Sequence, residues 1–339
     1  MTAGKMLHGL VISRGRIDFI TRVALALAIA TPGIEAGAAD AFPERPIRIV
    51  IPFAPGGDTD SITRMLAHEL TESLGQPVVV DNRAGANGIL ATEIVAKSAA
   101  PDGHTLLMAA TGLMVNPSLY AKLPYDALRD LVPISLIATG PHVLVVHPTV
   151  PAKSVKELIA HAKAHPDKLT YSSAGNGSSS HLAAAMLNVM ANTRMTHVPY
   201  RGTSPAAVAV VSGEVSLTFL GVSVALPQVK SGQLRAIAVT GPKRSASAPS
   251  LPTVAESGLP GFESGQLFGI LAPARTPKHI VRRLNSEITK AIRKREVSEK
   301  LAAQGAEVIA STPEQFGEFI ARSTKMWAGV IKTANIRIQ

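Results

Sequence analysis

The chain has 339 residues, of which 46% are hydrophobic and 17% charged, with a formal net charge of +10. That balance excludes a disordered chain, and no run of 18 or more apolar residues is present to cross a membrane as a helix. Cysteine is absent, which excludes disulfides, a thiol nucleophile and a lipid-bearing cysteine, while the length suggests two domains.

At the start, Arg14, Arg16 and Arg22 precede a short apolar run (residues 23–30), a Pro32-Gly33 break and the small-residue pattern Ala36-Gly37-Ala38. This is the layout of a secretory signal, expected to span residues 1–38 and to be cleaved near Ala38 or Ala39. The mature protein is then exported without a lipid anchor, and a periplasm is the compartment that retains it. Four basic and two acidic residues leave with the signal, so +8 remains. The densest basic cluster (Arg282, Arg283, Arg293, Lys294, Arg295) has a helical pattern with Glu287 and Glu296 interspersed, and only 4% of residues are aromatic. That describes a solvated helix face, so no nucleic-acid partner is expected.

From "IRIVIPF" onward, β-rich runs alternate with helical patterns: residues 59–73, "PVVVDNR", residues 88–98 and "TLLMAA". The βαβ rhythm predicts an α/β fold with a doubly wound parallel sheet. After "VPISLIA", the same unit is built again: "HVLVVHP", helices at 155–164, 178–192 and 205–212, and strands "LTYSSAG", "THVPY", "VSLTFLG" and "LRAIAVTG". "FGILAPA" and helices at 277–294, 297–303 and 313–332 follow, with no strands of their own to cover, and are expected to return to the first sheet. The expected organisation is a discontinuous first lobe (39–140 and 250–339) and an inserted second lobe (141–249), joined by two crossings. Loops at the carboxyl ends of both sets of strands would then face one cleft.

Those loops carry the chemistry. In "PFAPGGDTD", prolines restrict the chain, Gly56 and Gly57 allow positive φ and expose N–H groups, and Asp58 or Thr59 can cap the following helix. An anion there gains the helix dipole and backbone hydrogen bonds. The spacing matches neither GxxxxGK[ST] nor GxGxxG, which argues against a nucleotide. "YSSAGNGSSSH" repeats the logic in the second lobe, and in "VPYRGTSPA" Tyr200 offers an apolar face with a hydroxyl tip while Thr203 or Ser204 can cap a helix. Taken singly, each loop is equally compatible with a plain tight turn. His181 has no carboxylate nearby in sequence, Ser204 lacks the closing glycine of GxSxG, and no HExxH or metal-spaced set occurs. No catalytic residue, metal or cofactor is expected.

The motifs "RPIRIVIPFAPGGDTDSITR", "PVVVDNRAGANG", "AKSAAPDGHTLL", "LTYSSAGNGSSSHLA", "HVPYRGTSPA", "PTVAESGLPGFES" and "FGILAPARTP" occur in order along the mature chain. Together they resemble the exported solute receptors of tripartite tricarboxylate transporters, the Bug or TctC-like family. The resemblance implies a type II periplasmic-binding fold, two lobes closing over a small organic acid (a di- or tricarboxylate, an acidic amino acid or an aromatic acid). It implies a monomer that hands its ligand to a two-component membrane permease, with presentation to a membrane sensor as the alternative and an exported hydrolase as a further, weaker one. Carried over position by position, it nominates Phe53, Ala54, Gly56, Gly57, Asp58 and Thr59 on one lobe. On the other it nominates Ser172, Ser173, Gly175, Asn176, Ser178, His181, Tyr200 and Thr203. The chain departs from the family pattern at His104, Ser216, Leu267 and Arg275. A missing acid at Ser216 would weaken recognition of an amino group if that position reaches the cleft.

Overall fold

A computed structural model describes residues 42–333 and 336; the expected secretory signal lies outside the described residues. Strand β1 (Ile47–Ile51) is almost wholly buried, as befits a β-branched run inside a sheet covered on both faces. It leads into α1 (Asp58–Leu74), which buries Ile62, Leu66 and Leu70 at helical spacing and ends at Gly75 in the left-handed region, φ 68°. Next come β2 (Val78–Asn82) and α2 (Ile89–Glu93), which is prolonged by a π-helical turn at Ile94–Ser98. β3 (Thr105–Ala109) and α3 (Gly112–Leu119) follow. Both β2 and β3 lie parallel to β1.

The next strand, β4 (Leu131–Val146), runs for 16 residues where the sequence suggested two separate strands. It leads to α4 (Val155–Ala164), β5 (Thr170–Ser173), α5 (Ser179–Ala191), β6 (Thr196–Pro199), α6 (Thr203–Val211), β7 (Leu217–Gly221), α7 (Val222–Lys230) and β8 (Arg235–Val239). The chain returns through β9 (Gly265–Pro273), then α8 (Lys278–Arg293), α9 (Arg295–Ala303), β10 (Glu307–Val308) and α10 (Pro313–Thr333). The strand order is β2-β1-β3-β9-β4-β7-β5-β6, with β8 and β10 also paired to β4.

The sheet is mixed, whereas the rhythm alone suggested a parallel one. β9 is antiparallel to β3 and β4, and β4 is antiparallel to β7 and β8. The reason is topological: β4 carries the chain out of the first half and β9 carries it back, so the two must run in opposite senses. β4 pairs with β9 as far as Pro141 and with β7 and β8 from His142 or Val143 onward.

Each half has its own core. Val50, Leu107 and Leu271 pack with Phe316, Ile320 and Trp327 of α10, so the last helix does cover the first set of strands. In the second half, Leu144, Val146 and Phe219 pack under α4 and α5, while Val143, Val145 and Leu220 pack under α6 and α7. Strand alternation places helices on both faces.

Candidate functional site

The loop after β1 is held from below. Asn82 Nδ2 donates to Phe53 O and to Asp60 Oδ1, both at 3.0 Å, and Arg64 Nε donates to Asp60 Oδ2 at 3.0 Å. The Gly56 N–H, which the sequence suggested for an anion, donates to Asp60 Oδ2 at 3.1 Å. Burial pushes Asp60 upward, but Arg64, Asn82 and this amide together hold it below the usual carboxylate range. Gly57 is the N-cap of α1 and makes no side-chain cap, which corrects the expectation that Asp58 or Thr59 caps the helix. Both side chains instead lie inside the first turn and are buried.

The second loop is tied by its own hydroxyls. Ser178 caps α5, its Oγ accepting the His181 N–H at 3.3 Å, and Ser180 Oγ accepts the Ala174 N–H at 3.0 Å. Ser172 Oγ donates to Ala206 O at 2.8 Å, and Ser173 Oγ donates to Gly175 O at 3.1 Å and meets His197 Nε2 at 2.6 Å. The Gly177 N–H donates to His181 Nδ1 at 2.9 Å. His181 stacks on His197 with centroids 4.0 Å apart, and Tyr171 continues the stack at 4.9 Å. Burial holds His181 at about 4, and burial with His181 alongside holds His197 at about 3, so both rings are neutral at neutral pH. The stack braces the loop and supplies no cation to a ligand. Asn176 sits half-buried at the loop tip.

Four close approaches link the loops into a circuit around the seam between the halves. A Cβ on Gly202 would lie 3.4 Å from Ala54 Cβ, and one on Gly175 would lie 3.3 Å from Tyr200 O. A Cβ on Gly177 would come within 2.5 Å of Asn87 Nδ2 and of Leu119 Cδ1, while Gly88 presses on Pro52. The chain segments 52–54, 87–88, 175–177 and 200–202 thus follow one another around a ring, two from the first half and then two from the second. Gly177 has φ 76°, so a side chain there would be both strained and obstructed. Gly57 faces Thr203 across the seam, and Ser204 Oγ donates to Pro55 O at 3.4 Å. Gly202 is the N-cap of α6 without a side-chain cap, so neither Thr203 nor Ser204 caps that helix. The Tyr200 hydroxyl donates to Glu214 at 3.0 Å, and the part of Tyr200 that meets Gly175 is its carbonyl.

The nominated Asp58 has partners at the seam that the sequence reading did not identify, and Asn87 and His142 lie there unnominated. Asp58, 3% exposed, reaches from α1 across the seam to Ser223, which donates to Oδ1, while Gln266 Nε2 of β9, in its own half, donates to Oδ2 at 3.2 Å. Burial raises Asp58, against the lowering effect of those donors. A side chain at Gly221 would fall on the Asp58 carboxylate. Asn87 Nδ2 donates to Asn116 Oδ1 at 2.8 Å, leaving its own Oδ1 buried without a hydrogen-bond partner beside Gly177. At the crossing, His142 Nε2 meets Ser179 Oγ at 3.1 Å, and burial holds His142 at about 4. The glycine-rich "NRAGANG" stretch was the only signal for Asn87; nothing local pointed to Gln266 or Ser223.

The departures from the family pattern lie elsewhere. Ser216 exchanges hydrogen bonds with Thr170 at the starts of β7 and β5, the end of the strands opposite the loops. Leu267 is buried in the first core, His104 lies beside Asp102 at 3.3 Å, and Arg275 is exposed after β9. Among the described residues no three His, Asp or Glu side chains are grouped to hold a metal, and no helix is long and apolar enough to cross a membrane.

Comparison with known proteins gives one consistent family. A family model described as the tripartite tricarboxylate transporter family receptor matches residues 62–336. The chain is 43% identical over 308 residues to a UPF0065 protein encoded in the tcbD-tcbE intergenic region of Pseudomonas sp. (strain P51), covering 91% of each. Rpa4515 of R. palustris, solved with adipate, is 34% identical with a TM-score of 0.85, covering 87% of this chain and 99% of that one. MatC of Rhodopseudomonas palustris, solved with bound malate, is 34% identical with a TM-score of 0.81, covering 86% and 100%.

Proposed function

The chain belongs to the tripartite tricarboxylate transporter receptor family and has its two-lobed α/β fold; from that premise we propose that it is a periplasmic receptor that closes over a small organic carboxylate and delivers it to a two-component membrane permease. We take residues 39–140 and 250–339 as one lobe and 141–249 as the other, with residues 1–38 as the export signal. The chain works as a monomer and returns its ligand unchanged. Relatives solved with adipate and with malate support the ligand class.

The observation that carries this reading is the ring of loops drawn from both halves, into which the starts of α1, α5 and α6 project. First-turn amides of a helix have no acceptor within the helix, and the dipole adds positive potential. The ligand-binding set is Phe53, Ala54, Gly57, Thr59, Gly175, Asn176 and Thr203 as the lining, with Ser172, Ser173, Ser178 and His181 holding the second loop in shape. Gly56 and Asp58 fix the first loop, and Tyr200 presents its carbonyl. A charge-assisted hydrogen bond contributes about 1.5–3 kcal/mol and a partly buried helix terminus up to about 2. Several of these, after ordering costs, suffice for the roughly −8 kcal/mol of a micromolar complex.

A thermal-shift screen of the mature protein with citrate, succinate, malate, adipate, glutamate, nicotinate and terephthalate tests the ligand class. At about 100 times Kd the gain is about 2.7 kcal/mol, a rise of about 4 °C for a protein of this size. Stabilisation by a sugar or peptide in place of every acid would remove the proposal. Pull-down of permease subunits by the ligand-loaded protein tests delivery; capture of a sensor ectodomain instead would assign it to signalling.

A further inference from the structure

We propose that Asp58 sets the charge selectivity of the cleft: it places within the seam a negative group that a dicarboxylate would otherwise bring, so this receptor favours acids with a single carboxylate. The proposal rests on the carboxylate-receptor reading above and specifies the ligand within it.

Asp58 is the first residue of α1 and is 3% exposed, an unusual degree of burial for a carboxylate with no basic partner. Its oxygens accept from Ser223, in the first turn of α7, and from Gln266 Nε2 on the returning strand β9, at 3.2 Å. Both partners are neutral, so they solvate the charge without cancelling it. Gly221, the N-cap of α7, leaves the space that the carboxylate fills. An anion from one lobe is therefore seated at the start of a nine-residue helix of the other lobe, the kind of place that receives a ligand carboxylate.

This seat differs from the rest of the ring. The starts of α5 and α6 carry no carboxylate of the protein in their first turns, whereas the first turn of α1 contains Asp58 and Asp60 and the start of α7 holds the Asp58 carboxylate. Burial raises the Asp58 carboxyl, and the donors reaching both of its oxygens oppose that by favouring the ionised form, in which it acts on the cleft. A ligand with one carboxylate places it on the unoccupied starts and leaves its apolar part near Asp58. A second carboxylate would have to share the water-poor seam with a like charge, where repulsion is little screened.

The experiment is isothermal titration of the full mature chain with matched pairs at constant ionic strength: butyrate and succinate, hexanoate and adipate, benzoate and terephthalate. Wild type, Asp58→Asn, Asp58→Ser and Ser223→Ala are compared, each checked for a cooperative melt; the isosteric Asp58→Asn carries the test if Asp58→Ser does not fold. In the pair that binds, wild type is expected to favour the monocarboxylate at least tenfold. That ratio should fall at least tenfold in Asp58→Asn and Asp58→Ser and persist in Ser223→Ala, which keeps the charge. A wild-type preference for the dicarboxylate, or a ratio unchanged in Asp58→Asn, overturns the proposal while leaving the carboxylate receptor intact. Binding of no acid by any of the four proteins overturns both.

Discussion

Two aspartates in one helical turn meet opposite fates, and the difference is one of partners. Asp60 turns back to Arg64, Asn82 and the Gly56 amide and stays below its ordinary range, while Asp58 crosses the seam to neutral donors and is raised by burial. Gly221 makes the crossing possible, because any side chain there would meet both the Asp58 carboxylate and, at 2.5 Å, Gln266 Nε2. Gly221→Ala is therefore expected to oppose closure: ligand affinity falls at least tenfold by titration calorimetry, about 1.4 kcal/mol. The ligand-free melting temperature should change far less, and an unaltered affinity would show that Asp58 has another seat. The sequence marked Asp58 as a loop residue of interest but could not show its partner, since Ser223 and Gln266 lie in distant segments and "FLGVS" reads only as the end of a strand.

At the scale of elements, periodicity and turn chemistry placed most helices and strands within a few residues, as with α4 at Val155–Ala164 and α1 at Asp58–Leu74, but did not anticipate α3 or β10. Among the expected elements, β4 departs most from the reading. Gly140 and Pro141 argue locally for a break, yet the strand runs through them, because the missing Pro141 N–H falls where the ladder passes from β9 to β7. Caps were legible as residue types and not as bonds. Ser178 makes its cap, so Ser178→Ala should cost about 1 kcal/mol in urea denaturation. Thr203, next to the N-cap Gly202, makes none, so Thr203→Ala should leave the urea midpoint unchanged; an equal loss in both variants would contradict the assignment.

For the whole molecule, two buried histidines near the seam, His142 and His181, and the half-buried His197 link stability to pH. His142 and His181 are held at about 4 and His197 at about 3, all below the ordinary 6.5, so the unfolded chain takes up protons first as the pH falls. Their contribution is complete above pH 6.5 and is lost as the pH falls toward 4, on the order of 3 kcal/mol for His142 alone. Asp58 works in the opposite sense, whereas Asp60, Asp81 and Asp130 lose their contribution at lower pH. Urea unfolding at pH 7.5, 5.5 and 4.5 should show this decline, with a shallower slope in His142→Gln; a flat profile would refute it. The sequence by itself determined the elements, the repeated α/β unit and the loops at the strand ends, because these follow from hydrophobic spacing and from glycine and proline within a few residues. Only the tertiary structure decided which of the donors and acceptors in those loops face the seam and which bond to the protein. Partners far apart in the chain compete for each amide, hydroxyl and carboxylate, and their proximity exists only once the two halves are packed together.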